Sequence, residues 1–157
     1  MGGAHVRLLG LALVAGLLSG CATGSANQTL DAEAKQFQAR ADTACIYVVP
    51  SNSDTAVTVL LDGRTVATLD AMSYLRLDVP PGRHVLAVTR AGLLPGFLRE
   101  APETLPAEVE ADRCYFFRAL WREDEKSLRS YRVYLARVTA AEGEREINIR
   151  NLVLPSK

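Results

Sequence analysis

The chain has few of the residues on which many functions depend. Of its 157 residues only two are histidines and three are cysteines, and 6% are aromatic. Its 18 basic and 18 acidic side chains give a formal net charge of zero, which excludes a protein that binds nucleic acid mainly through phosphates. Charged residues make up 23% of the chain, too few for a disordered, solvated protein. The expectation is one compact domain.

The apolar run near the N-terminus is too short for a lasting membrane span. A transmembrane helix needs about 20 apolar residues, and the run covers only residues 8–18. It follows His5 and Arg7 and precedes two small residues, Ser19 and Gly20, which is the layout of an export signal. We predict that residues 1–20 form a signal peptide that is removed.

The end of this segment reads Leu18, Ser19, Gly20, Cys21, and it resembles the lipobox of bacterial lipoproteins. An ordinary signal peptide with a nearby cysteine is the alternative. The resemblance implies that Cys21 carries fatty acyl chains such as palmitate and anchors the protein to a membrane. Ala22 stands where an aspartate would favour the inner membrane, so the resemblance points to the outer membrane, on its periplasmic side.

Residues 22–43 are small and polar, with a weak helical stretch at 30–41. Together with Cys21 they are predicted to form a flexible tether, residues 21–43, with a reach of about 25 Å. The folded domain is then expected to cover residues 44–157.

From residue 44 onward, short extended runs alternate with turn residues, a pattern typical of an all-β domain. The predicted strands cover residues 44–49, 56–61, 64–69, 73–79, 84–89, 105–111, 114–121 and 131–138. Asp62 and Gly63 suit a tight hairpin, and the Pro-Pro-Gly sequence at 80–82 suits a type II turn. A sheet with one apolar face must bury it, so the expected fold is a small two-layer antiparallel β-sandwich of about 7–8 strands.

A short helix is predicted to close the domain. Thr139 stands three residues before Glu142, which is the spacing of a capping box. The helix would begin near residue 140, although Gly143 disfavours it.

Four short motifs follow one another between residues 44 and 118. They are A-C-I-Y-V at 44–48, L-D-G-R at 61–64, Y-L-R-L-D-V-P-P-G-R-H at 74–84 and E-A-D-R-C-Y-F-F-R at 110–118. Their order behind a lipobox resembles a bacterial lipoprotein family that is defined only by a domain of unknown function. The D-G and P-P-G-R-H motifs are also similar to those of PEGA-type β-sandwich modules of bacterial envelopes. The resemblance covers residues 44 to about 120 and implies a fold and a compartment but no activity.

Two cysteines, Cys45 and Cys114, remain once Cys21 is lipidated. An even pair of cysteines in an exported protein usually forms a disulfide. This pair would close a loop of about 70 residues, which the chain-entropy relation values at roughly 4 kcal/mol. Two buried thiols on different layers are the alternative. We predict the disulfide.

The sequence predicts no catalytic residue, metal site or other cofactor. His84 is the only histidine outside the signal peptide, so a histidine-rich metal site is excluded. Hydrolysis by a Ser-His-Asp site would need His84 as its base, yet no serine has the context of a nucleophile elbow. We expect a half-buried ring that forms hydrogen bonds near the Pro-Pro-Gly turn. Carboxylate pairs such as Asp62 with Asp70 are attributed to solubility rather than to glycan hydrolysis.

The most suggestive surface feature is the connection at residues 91–98, whose sequence is AGLLPGFL. It carries Leu93, Leu94, Phe97 and Leu98, whereas loops are usually polar. These side chains either fold back as a lid over the sandwich or form an exposed contact site.

A second candidate surface lies around Trp121 and Tyr131, which flank a charged hairpin loop. Trp121 also belongs to an aromatic run with Tyr115, Phe116 and Phe117 that would offer stacking surfaces to sugars. Strand alternation sends about half of such a run inward, so a core role is favoured.

The expected function is therefore that of an outer-membrane lipoprotein whose periplasmic domain acts by binding an envelope protein and is not an enzyme. A glycan-binding or peptidoglycan-binding module is the alternative, and an envelope hydrolase is the third. The membrane contact would be the lipid on Cys21, and no nucleic acid is expected.

Overall fold

The computed structural model describes residues 22–51, 55–92, 102–123 and 131–156. In chain order their elements are α1 (Ala22–Ala34), β1 (Ala44–Pro50), β2 (Val57–Leu61), β3 (Arg64–Leu69), β4 (Ser73–Val79), β5 (Gly82–Arg90), β6 (Glu103–Val109), β7 (Cys114–Glu123), β8 (Tyr131–Val138), α2 (Ala140–Ile147) and β9 (Asn151–Val153). The strands form two stacked sheets, so the predicted all-β sandwich with a short C-terminal helix is confirmed.

The first sheet has the strand order β8-β7-β1-β4-β9, and the second has the order β3-β2-β5-β6. Most neighbouring strands are antiparallel, as predicted. The pairs β1 with β7 and β4 with β9 are parallel, which strand patterns did not predict. Strand β9 was also not predicted, because three residues are too few to show a period of two.

The β2–β3 hairpin forms at the predicted turn. Asp62 has a φ of 50° and Gly63 a φ of 80°, the left-handed conformation that a two-residue hairpin turn requires at both positions. Aspartate and glycine tolerate this conformation better than most residues.

The inter-sheet core is formed by side chains that point inward from alternate positions of the strands. Its largest fully buried members are Ile46, Val48, Val57, Val59, Leu69, Leu75, Leu86 and Val88. They come from both sheets, so burial of this core is what holds the two layers together.

The five-stranded sheet buries its other face as well. A second group, the outer cluster, contains Tyr47, Tyr74 and Phe116 from the strands, Ala34 from the end of α1 and Ile147 from α2. The rings of Tyr47 and Phe116 are stacked with their centroids 5.1 Å apart. A third layer of helix and extended chain therefore covers this sheet.

The prediction of a flexible tether at residues 21–43 is wrong for most of that segment. Residues 22–34 form α1, and Phe37 and Ala39 pack against the outer cluster. The Tyr47 hydroxyl donates a hydrogen bond to the main-chain oxygen of Ala34 at 2.6 Å. The segment is polar in composition, but its few apolar residues cover an aromatic sheet face that water would otherwise meet.

Helix α2 begins as its capping box predicts. The Thr139 side chain accepts from the main-chain N–H of Glu142, and the Glu142 side chain accepts from that of Thr139. Gly143 is buried in the middle of the helix against the ring of Phe116. The glycine that disfavours the helix is thus the residue that lets it approach the sheet.

Candidate functional site

Strand β4 is covered along only part of its outer edge. Its residues Ser73, Tyr74 and Leu75 pair with β9, while all of its second half pairs with β1 on the opposite side. Within the described ranges, no strand continues beside residues 76–79 where β9 has ended. Pairing ends at Val153, and Pro155, two residues later, has no main-chain N–H to donate to a ladder.

The direction of the main-chain groups of β4 follows from one hydrogen bond. The N–H of Asn151 donates to the oxygen of Met72 at 2.9 Å, so the carbonyl of Met72 points toward β9. Alternate residues of a strand direct their main-chain groups to the same side. The N–H and C=O of Asp78 therefore point toward the uncovered side.

A groove of about 720 Å³ lies along this uncovered edge. We call it the edge groove. Its walls are the end of α1, the irregular chain at residues 36–40, the second half of β4 and the chain after β9. The lining residues are Leu30, Glu33, Ala34, Gln36, Gln38, Ala39, Arg40, Arg76, Asp78, Leu152, Leu154 and Pro155.

One carboxylate and two guanidinium groups form the charged end of the edge groove. Oδ1 of Asp78 accepts from Nη2 of Arg76 at 2.9 Å, and Oδ2 lies 3.2 Å from Nη1 of Arg40. Arg76 also donates to the main-chain oxygen of Gln38 at 2.8 Å. Two positive charges share one negative charge, so this end carries a positive excess.

The other end of the edge groove is apolar. Leu30, Leu152 and Leu154 line it, and the side chain of Leu154 is 48% exposed. The lining also includes Glu33, on the exposed side of α1.

A half-buried carboxylate holds the wall of the groove in place. Oδ1 of Asp31 accepts from the hydroxyl of Tyr74 and from the N–H of Leu152, each at 2.9 Å, and Oδ2 accepts from Lys35 at 2.6 Å. Burial by itself raises the pKa of Asp31, but these three hydrogen bonds together hold the pKa below its usual value. Asp31 thereby ties α1 to both β4 and β9.

His84 lies where the Pro-Pro-Gly turn was expected to place it, and its ring is engaged on both sides. Nδ1 is 2.8 Å from Oδ2 of Asp62, and Nε2 is 2.9 Å from the main-chain oxygen of Pro80. Because both partners are acceptors, the ring is best satisfied as the imidazolium with two donors. The hydrogen bond from His84 lowers the pKa of Asp62, and the same bond raises that of His84. This geometry stabilises the turns and leaves neither ring nitrogen available as a base.

The predicted disulfide is present. Cys45 and Cys114 are directly opposite each other on the parallel strands β1 and β7, with Cα atoms 4.5 Å apart. The bond is part of the outer cluster, and the sulfur of Cys114 lies 3.2 Å from the main-chain oxygen of Phe37. The two cysteines therefore join strands under the segment that leads to β1, and they are not on different layers.

The structure describes only part of the candidate surface around Trp121 and Tyr131. Trp121 is half-buried and packs against the inter-sheet core. Tyr131 begins β8, and its side chain lies outside the described part. One face of the Tyr134 ring is covered by the guanidinium of Arg122, 4.6 Å from the ring centroid. The described large apolar residues that are exposed are aliphatic: Met72, Val85, Ile149 and Leu154.

The apolar connection with Leu93, Leu94, Phe97 and Leu98 lies outside the described residues, as does Cys21. Among the residues that the structure does describe, no group of three or more His, Cys, Asp or Glu side chains is placed to hold a metal ion. No described helix has the length and apolar character needed to cross a membrane.

Reasoning from the sequence missed the edge groove. The sequence predicts only a strand at Arg76 and Asp78, and it places Arg40 in the tether. The available signal was the pair of opposite charges two residues apart, which alternation places on the face of β4 opposite to Leu75 and Leu77.

Comparison with protein-family models and with curated proteins finds no match for the chain.

Proposed function

We propose that this protein is a lipid-anchored bacterial envelope protein whose β-sandwich acts by binding a protein partner, without catalysis. The lipobox at residues 18–21 supports the anchor, with the lipid on Cys21 and the domain on the periplasmic side of the outer membrane. The resemblance to a lipoprotein family of the envelope supports the compartment.

The observation that carries the binding function is the edge groove. It combines an uncovered strand edge, an apolar end with the exposed side chain of Leu154, and a positive end at Arg40 and Arg76. An uncovered edge is a ready place for another chain to pair, and proteins usually cover or charge such edges. A protein interface combines apolar residues with polar and charged groups.

The position of α1 strengthens this proposal. Its first residue, Ala22, directly follows the proposed lipidation site, and its 13 residues span about 20 Å. Leu30 and Glu33 of this helix line the groove. The groove would therefore lie close to the membrane surface, within reach of the exposed part of a membrane protein.

The environment of His84 supports a function without catalysis. Its two ring nitrogens are held by Asp62 and the Pro80 carbonyl, and a general base needs a free nitrogen within reach of a substrate proton.

The anchor is tested by labelling cells with radioactive palmitate. We expect label in the wild-type protein and none in the Cys21→Ala variant, which should remain unprocessed or soluble. Equal labelling of both proteins would contradict lipidation at Cys21.

The binding function is tested in cells with a photo-reactive amino acid at Gln38, which is exposed in the groove. A matched position is Thr104, exposed on β6 at the other edge of the sandwich. We expect a specific protein adduct from position 38 and not from position 104. Leu154→Arg should abolish the adduct, whereas Ile149→Arg should not, since Ile149 is a more exposed aliphatic residue outside the groove. Identical adducts from both positions, or none, would overturn the proposal.

A further inference from the structure

We propose that the occupant of the edge groove is an extended peptide segment of the partner protein, which adds as a strand beside residues 76–79 of β4 and directs an acidic side chain toward Arg40. This inference rests on the proposed function and gives its chemistry.

The main-chain groups of β4 favour an added strand as the occupant. The N–H and C=O of Asp78 face the groove, on the side where the pairing with β9 has ended. An extended peptide supplies a donor and an acceptor at the matching spacing. A helix satisfies its own main-chain groups internally and would leave those of Asp78 without a partner.

The space is kept open by the chain itself. After β9 the C-terminal residues leave this sheet, and the N–H of Ser156 donates to the oxygen of Val66 on β3 at 2.7 Å. Pro155 between them has no N–H with which to extend the ladder. Residues 76–79 span about 13 Å, which suits a segment of about four to five residues.

The charge selects an acidic residue. Asp78 is the carboxylate shared by Arg40 and Arg76. The Arg40 side chain is 66% exposed, so it can turn toward an incoming carboxylate while Arg76 stays paired with Asp78. At the other end, Leu152 and Leu154 favour an apolar side chain.

The test uses a synthetic seven-residue peptide that alternates valine and threonine around one glutamate, added to the full-length chain in detergent micelles. We expect saturable binding, and at least tenfold weaker binding when lysine replaces glutamate. Two further peptides carry N-methyl groups on alternate amides, along one edge or along the other. Methylation of the edge that faces β4 should weaken binding at least tenfold, and methylation of the opposite edge should have little effect, because only a strand has two such distinct edges.

Variants and hydrogen exchange locate the binding site. Arg40→Glu should reverse the preference between glutamate and lysine, and Leu154→Arg should abolish binding, while Ile149→Arg should leave it unchanged. The amide of Asp78 should exchange at least tenfold more slowly in the complex. Absence of binding at millimolar peptide, equal binding of both methylated peptides, or unchanged exchange at Asp78 would overturn the inference.

The outcomes separate this inference from the proposed function. If the adduct from position 38 forms in cells but the peptides bind without preference for an edge, the groove binds a protein in another conformation and only the further inference is wrong. Concentration-dependent dimers that protect Asp78 without peptide would show that a second copy is the occupant, and would also overturn it.

Discussion

The ring of Phe116 on β7 occupies the space in which a side chain on Gly143 of α2 would stand. Helix propensity alone favours alanine over glycine in a helix by about 1 kcal/mol. Here the close approach of Phe116 makes alanine less favourable than glycine at position 143. We predict that Gly143→Ala lowers the free energy of unfolding by about 1–3 kcal/mol, because the ring or the helix must shift. Denaturant unfolding measures the change.

The control for this prediction is the same substitution in a Phe116→Leu background. Leucine is smaller than phenylalanine, so the second substitution should cost less there than in the wild type. Equal costs in both backgrounds would mean that Phe116 is not the cause.

The disulfide between Cys45 and Cys114 should stabilise the domain. Its sequence separation is 69 residues, and a loop of that size constrains the unfolded chain by roughly 4 kcal/mol in the chain-entropy relation. We predict that replacing both cysteines with alanine lowers the free energy of unfolding by about 2–4 kcal/mol. Reductant should destabilise the wild type and leave the double variant unchanged. A wild type insensitive to reductant when unfolded would contradict the prediction.

The pair of His84 and Asp62 should make stability depend on pH. The pKa of His84 is raised above 6.5, so its contribution is full below pH 6.5 and is lost as the pH rises through the raised value. The pKa of Asp62 is lowered below 3.8, so its contribution is full above pH 3.8 and is lost as the pH falls through the lowered value. We predict that His84→Asn destabilises the protein most between these limits.

The size of this effect should be about 1 kcal/mol or less, because the Asp62 side chain is 50% exposed and solvent screens the pair. Unfolding of wild type and variant at several pH values measures it. An NMR titration of His84, one of the two histidines of the chain, gives its pKa directly. A pKa at or below 6.5 would contradict the assignment.

Asp31 should control the attachment of the N-terminal segment. Asp31→Asn removes the charge that Lys35, Tyr74 and Leu152 satisfy, which we expect to cost about 1–3 kcal/mol. Hydrogen exchange should become faster in residues 31–43 and stay unchanged in β7 and β8. Because the pKa of Asp31 is lowered, the wild type should lose the same protection as the pH falls through that value.

The matched control is Glu33→Gln, on the exposed side of the same helix. It should leave exchange in residues 31–43 unchanged. If both substitutions have the same effect, the loss comes from charge on α1 in general and not from the contacts of Asp31.

The sequence by itself determined the local structure of this protein. The strands from residue 44 to residue 138 follow from short extended apolar runs between turn residues, the hairpin from Asp62 and Gly63, and α2 from its capping box. Each of these signals acts between residues that are close in the chain, so a short window contains the whole interaction. The disulfide could be proposed from composition, because only two cysteines follow the lipobox-like segment that ends at Cys21.

The tertiary structure decided which distant segments meet. The N–H of Leu152 donates to the carboxylate of Asp31, 121 residues away, and no local pattern in either segment contains the other. From its sequence alone, the polar N-terminal segment is therefore predicted to be a tether. In the structure it covers the aromatic face of the sheet. The edge groove is likewise formed by segments from both ends of the chain and the middle. Its chemistry exists only where tertiary packing brings Arg40, Asp78 and Leu154 to one edge.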